Sequence, residues 1–303
     1  MAEVTLRAPA LDDAEAVAAL INAESRRLRG RDDVDADAVR VWWTQPPPFD
    51  LAEDVVLALR GDAVVGYGDL GDQANDGTVL WLDVRGDGRV EVLAELERRA
   101  LERRAASGVV RAVADEKDAD YQALLDERGY RSIRASYRMG IELERREFSA
   151  SWPEGATVRA AVDGADDRLL HELLEEGFAD HWGFTPTPFE EWVHWLRAPG
   201  SYDPSLCLVA EVDGAPAGAS VGRPHHPGEP ERGWISQLAV LPAHRGRGLG
   251  AALLTHTFAE FQRRGLAHAG LGVDAENTTG AVRLYQRVGM SVVERLDVWE
   301  RRG

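Results

Sequence analysis

A single cysteine, Cys207, stands in 303 residues, so no internal disulfide can staple the fold. No Cys/His spacing of the zinc-site kind occurs either, and no metal is expected. No apolar run reaches the ~18–20 residues needed to cross a bilayer, so no membrane partner is expected. Met1-Ala2-Glu3-Val4 offers neither a basic stretch nor a following apolar block. No signal peptide is expected, and the chain reads as cytoplasmic. Cations are the minority charge: 35 Lys+Arg against 52 Asp+Glu leave a net −17. Nucleic acid binding needs cationic surface to displace counterions from phosphates, so no nucleic-acid partner is expected. Anionic membrane surfaces are disfavoured for the same reason. An amine-bearing substrate would meet a favourable field, although acidity also serves plain solubility.

What is present is a globular composition, 44% hydrophobic and 29% charged, which argues against disorder and for real cores. The length suits two domains, and the sequence repeats itself. Val55–Gly66 resembles Leu206–Gly218: a strand, a tight turn at Gly61-Asp62 or Asp213-Gly214, and a second strand ending in Gly. Leu82-Asp83-Val84 matches Leu238-Ala239-Val240, and Leu124–Tyr130 matches Leu284–Met290. Element order is kept while the offset grows, the mark of a duplication with insertions in the second copy. The repeat predicts domains 1–148 and 149–303, separated where Ser149–Gly155 breaks the pattern. Each copy starts with a strand (Val4–Arg7, Thr157–Ala161) and an Asp-capped helix, then a hairpin, a longer strand and a helix. A further strand, a short helix closed by Gly129 or Gly289, and last strands follow. This order predicts a mixed α/β (α+β) fold: a mostly antiparallel sheet with helices on both faces.

The second copy carries the chemistry. A strand ending in Leu238-Ala239-Val240 runs into Arg245-Gly246-Arg247-Gly248-Leu249-Gly250 and then a helix. Such a turn lets backbone N–H groups approach phosphate oxygens at a helix N-terminus, and Arg245 and Arg247 can supplement it. The spacing is neither a Walker A loop nor G-x-G-x-x-G. Ala281, Leu284, Tyr285 and Val288 recur at helical spacing, so Tyr285 reads equally as a half-buried core residue. Asn277 reads equally as a helix cap.

The loop resembles the Q/R-x-x-G-x-G/A pyrophosphate loop of the GNAT superfamily of N-acetyltransferases. Asn277–Met290 is similar to that family's N-x-x-A-x-x-x-Y-x-x-x-G-F segment, with Met290 in place of the aromatic. The first half resembles the same fold with its motifs eroded, and the tandem layout looks like the actinobacterial mycothiol synthase group. The resemblance implies two tandem GNAT-type domains: a degenerate, structural one and an active, acetyl-CoA-binding one. The implied reaction is direct transfer of acetyl from acetyl-CoA, as co-substrate, to a primary amine of a small molecule or peptide. Alternatives are a mycothiol synthase proper, acetylating a cysteinyl amine, and a non-catalytic CoA-binding sensor. Leu238, Ala239 and Val240 would pair with the pantetheine arm, Arg245–Gly250 would hold the pyrophosphate, and Asn277 would anchor pantetheine or the helix start. Tyr285 would protonate the departing thiolate. Many members carry a strand Glu as general base, aligned here with Trp234; Glu231, Ser236, His181, His225, His226 or water are the substitutes. The acceptor would lie against Glu176–Phe184, where aromatics stand near Asp180, Glu190 and Glu191. Cys207 falls in the strand pattern and reads as core. Monomer and homodimer both remain open.

Overall fold

The computed structural model describes residues 3–198 and 202–302. It divides into two compact units, Met1–Ala135 with Arg295–Gly303, and Ser136–Glu294. The division is not the contiguous one expected at 148/149. The strand β6 (Arg131–Glu142), repeat-equivalent to the chain's last strand, contributes its residues from Ser136 to the second unit. That last strand contributes its residues from Arg295 to the first unit. The two strands carry the same kind of alternation, and alternation says that a strand exists, not which sheet edge receives it.

The first unit's strands are β1 (Val4–Arg7), β2 (Val55–Arg60), β3 (Ala63–Asp72), β4 (Val79–Gly86) and β5 (Val109–Asp115), closed by β12 (Ser291–Arg302). Leu296–Arg302 run antiparallel to Asp115–Val109. Only β4 and β5 are parallel, joined by helix α4 (Arg89–Arg103), as a crossover requires. Alternation assigns the faces. Val55 and Leu57 bury against α1 (Ala14–Arg29) and α2 (Ala36–Trp43), through Val17, Ile21 and Trp43, with Leu51 of the short α3 (Leu51–Asp54) packed beside them. Val56 and Ala58 bury with Leu93 and Leu96 of α4, and with Leu125 of α5 (Ala119–Glu127).

Asp69 and Asp83 face each other across β3 and β4. Burial, then repulsion from Asp83, pushes the Asp69 carboxyl up to about 7, although the Tyr67 hydroxyl donates to it. A carboxyl raised from its ordinary ~3.9 favours folding while protonated, and that contribution is lost as pH rises through about 7. Asp69→Asn keeps an oxygen for Tyr67 and removes the charge. Its melting temperature should exceed the wild-type value by about 2 °C or more at pH 8. The gain should shrink as pH falls toward ~4. A pH-independent difference would mean that Asp69 does not carry this proton.

The second unit runs β6, β11 (His268–Asp274), β10 (Arg232–Val240), β9 (Ala215–Arg223), β8 (Cys207–Val212), β7 (Ala156–Ala160). Helices α6 (Asp167–Phe178) and α7 (Phe189–Leu196) cover one face, packing Leu170, Leu173 and Trp192 on Val209, Ala219 and Ala239. Helices α8 (Leu249–Arg263) and α9 (Ala281–Arg287) cover the other, where Phe258, Phe261 and Tyr285 meet Ile235, Leu271 and Met139. Cys207 is buried in the α6–α7 core, and burial pushes its thiol up to about 12. It is packing, as its strand position implied.

Candidate functional site

The site begins where two parallel strands part. β10 and β11 pair from Arg232↔His268 to Ile235↔Leu271 and then separate. Ser236 is the extra residue of a bulge that resets the β10–β9 register, and from Gln237 to Val240 the pairing continues with β9 alone. Beyond Leu271, β11 stays with β6 through Asp274. Two strand edges therefore face each other across a gap, and both edges border a cavity of about 630 Å³. Leu238, Ala239 and Val240 line it from one side, and Leu271–Asp274 from the other.

The glycine loop closes one end. Leu241 is followed by a short 3-10 turn, Pro242–His244, and then by Gly246 at φ 75 and Gly248 at φ 95. Those left-handed angles are why glycine stands at both places. The ideal Cβ position of Gly246 meets nothing within 4 Å, and that of Gly248 only the Pro153 ring at 4.0 Å, so space is left open above the start of α8. His244 lines the same cavity and holds a buried Nδ1 with no partner. Free amides, an unpaired ring nitrogen and open space at a helix N-terminus suit an anionic group. Gly250 is the second residue of α8, where its missing Cβ would approach Leu284 to 3.1 Å, which seats α8 on α9.

Arg245 differs from the expectation for its side chain. Nε donates to the Val240 carbonyl at 3.0 Å, Nη2 to the Gly177 carbonyl at 2.8 Å, and both Nη atoms to Asp180. The guanidinium thus ties the loop to the end of α6, and what it leaves for a ligand is backbone. Arg247 is exposed and lies outside the cavity lining.

Tyr285 lies on α9, 7% exposed, and lines the cavity. Burial pushes its hydroxyl up to about 12. Among the described residues that hydroxyl has no hydrogen-bond partner. A protonated phenol without a partner beside a cavity has the chemistry of a proton donor. The oxygen of Asn277 accepts from the Thr279 amide at 2.9 Å and the Ala281 amide at 3.3 Å, so this side chain organises the start of α9. It also lines the cavity. The cap and the anchor readings therefore both have support.

Of the proposed bases, His181 and Ser236 line the cavity. The Ser236 hydroxyl donates to the Val221 carbonyl at 3.0 Å. The His181 ring meets Phe178 edge-on at 4.8 Å, and burial lowers its pKa, leaving a neutral imidazole at neutral pH. Glu231, His225 and His226 lie outside this cavity, as does Trp234, which is held between Arg138 at 4.8 Å and His226 at 4.6 Å. Of the acceptor segment, Gly177, Phe178 and His181 reach the cavity. Asp180 is paired with Arg245, and Glu190 and Glu191 do not line the space. Trp192 is core, its indole N–H donating to Gln237 at 2.9 Å.

Sequence reasoning missed one contributor, Gln237, and the packing demand on Gly177 within the acceptor segment. Gly177 approaches β10 so closely that a Cβ there would stand 2.5 Å from Ala239 Cβ, and Gln237 projects its amide between α7 and the cavity. A glycine on the buried side of an amphipathic helix was the available signal for Gly177. Among the described residues no group of three or more His, Cys, Asp or Glu is arranged to hold a metal ion, and no helix is long and apolar enough to cross a membrane.

The acetyltransferase (GNAT) family profile matches residues 168–290, which hold the loop, the parting strands and α9. A mycothiol acetyltransferase of Salinispora arenicola is 32% identical over 253 residues, 80% of this chain and 80% of that protein. One of Stackebrandtia nassauensis is 31% identical over 70% of this chain and 74% of its own length. A GCN5-related N-acetyltransferase structure from Sphaerobacter thermophilus superposes with a TM-score of 0.80 at 29% identity, covering 99% of this chain and 95% of its own. A tandem GNAT protein from the clavulanic acid biosynthesis pathway gives a TM-score of 0.76 at 16% identity, over 99% and 98%, a likeness of fold.

Proposed function

We propose the following reaction for this chain, which belongs to the GNAT acetyltransferase family and is an N-acetyltransferase: acetyl passes directly from acetyl-CoA to the primary amine of a small molecule or peptide. The parting of β10 and β11 beside a left-handed glycine loop carries this reading. The free edge of Leu238–Val240 would take an extended pantetheine arm as an added strand. Amides around the bulge would polarise the thioester carbonyl. The amides of Gly246–Gly250 would hold the pyrophosphate. Tyr285 would give its proton to the sulfur as the thioester bond breaks, and the neutral amine nitrogen, on bonding to the acetyl carbon, would lose the one proton that restores the phenol. Direct transfer is favoured because Cys207 is core and absent from the cavity lining.

The relatives named mycothiol acetyltransferase support a second acceptor reading, the amine of a cysteinyl group on a small thiol precursor. The sensor reading gives way to the family assignment.

The first unit serves as a structural partner in this proposal. Its own parallel pair parts after Leu82↔Ala112, at the equivalent place. There the buried Glu24 carboxylate accepts from the Gly86 amide at 3.0 Å and from Arg89 at 2.7 Å, and Arg89 also reaches Asp118 at 2.9 Å. An internal anion thus sits at the start of α4, where the second unit leaves space. Leu125 stands at the repeat position of Tyr285, and Lys117 at that of Asn277.

Two measurements on the full chain test the proposal. Free thiol should appear from acetyl-CoA in step with N-acetylation when members of a primary amine panel are added, and calorimetry should give one acetyl-CoA site per chain. Absence of thiol release with every amine would overturn the reaction. Two equivalent sites would overturn the assignment of the first unit.

A further inference from the structure

We infer that Arg283 and Arg287 form a separate phosphate subsite, one that takes the ribose 3′-phosphomonoester of the cofactor rather than its pyrophosphate; this rests on the acetyl-CoA reading above. About half of the arginines of the second unit are paired with a carboxylate within it. Arg138 pairs with Glu229, Arg159 with Asp166, Arg197 with Asp167, Arg232 with Glu229, Arg245 with Asp180 and Arg264 with Asp203. Arg283 and Arg287, like Arg145, Arg146 and Arg247, are exposed and among the described residues have no carboxylate partner. Position sets the first two apart. Arg287 lines the cavity, and the Arg283 guanidinium folds over Gly280, another lining residue, with Nη2 3.1 Å from where a Cβ would stand. Both flank Leu284, the residue seated against Gly250. Two unneutralised guanidiniums therefore border the mouth that the glycine loop borders from α8.

The chemistry separates the two subsites. The loop offers amides and a helix N-terminus, which suit the singly charged oxygens of a diester-like pyrophosphate. A phosphomonoester carries about −1.5 to −2 at pH 7 and takes guanidinium forks bidentately. A polyanion approaching a chain of net −17 is also repelled at long range, so exposed cations at the cavity mouth have a use there that they lack elsewhere on the surface.

Calorimetric titration of the full chain with acetyl-CoA and with 3′-dephospho-acetyl-CoA separates the possibilities. The wild-type chain should prefer acetyl-CoA by about tenfold or more at low salt, and the preference should narrow as salt rises. The Arg283→Gln/Arg287→Gln variant should lose that preference while holding 3′-dephospho-acetyl-CoA within about twofold of wild type. Equal losses for both ligands would assign the arginines to the pyrophosphate and overturn the inference. Unchanged affinities, or a wild-type chain with no preference, would overturn it too. A wild-type chain that binds neither ligand would instead remove the acetyl-CoA reading, and this subsite with it. Both side chains are exposed, so thermal melts of the variant should match wild type and leave the comparison interpretable.

Discussion

Tyr285→Phe should lower kcat by about 10²–10⁴ while leaving acetyl-CoA affinity and the melting temperature nearly unchanged. Only the hydroxyl is removed. The ring stays packed with Ile235, Phe258 and Leu271, so the core keeps its volume and α9 its seat. The lost hydroxyl has no protein partner among the described residues, so no buried group is orphaned by its removal. What disappears is a proton at the cavity wall. Because burial pushes Tyr285 up to about 12, it stays protonated through neutral and moderately alkaline pH. The wild-type rate should therefore show no fall between pH 7 and 10 that Tyr285→Phe abolishes. Single-turnover measurement with saturating acetyl-CoA isolates the chemical step. Wild-type single-turnover rates in the variant would return Tyr285 to packing.

Much of this site was legible because its parts are local. A strand, a three-glycine turn and an apolar helix lie consecutively in sequence, and each glycine answers a local demand: φ 75 at Gly246 and φ 95 at Gly248. The i, i+3, i+4, i+7 spacing of Ala281–Val288 placed Tyr285 on the buried side of a helix, and the structure puts it there. Non-local choices were not legible. β6 and β12 look alike to any periodicity argument, so their exchange between units depends on which edge is met first or best. Arg245 offered the same guanidinium to a ligand or to the protein; Asp180 and the Gly177 carbonyl, far away in sequence, decide for the protein. The carboxylates near the acceptor segment suggested an amine site by proximity in sequence alone. In the fold Phe178 and His181 line the cavity, and Glu190 and Glu191 do not.

Gly248→Asp should weaken acetyl-CoA binding by more than tenfold, about 1.4 kcal/mol, and an uncharged companion separates the causes. Gly248 caps α8 at φ 95, in the left-handed region where a side chain is strained, though Asn and Asp tolerate it better than most. Steric conflict within the protein is small: the Cβ position meets only Pro153 Cγ, at 4.0 Å. Both substitutions should therefore fold with a modest and similar loss of stability. They differ in charge. Asp sets a carboxylate at the positive end of the helix, where it satisfies the free amides itself and repels an incoming phosphate. Asn fills the same volume without that repulsion. The affinity of Gly248→Asp should fall below that of Gly248→Asn, and the gap should close as ionic strength rises from 0.05 to ~0.5 M and the Debye length shortens. Equal affinities for the two variants would mean that any loss comes from volume and strain alone. A folded Gly248→Asp chain that binds acetyl-CoA as tightly as wild type would move the pyrophosphate away from this loop altogether.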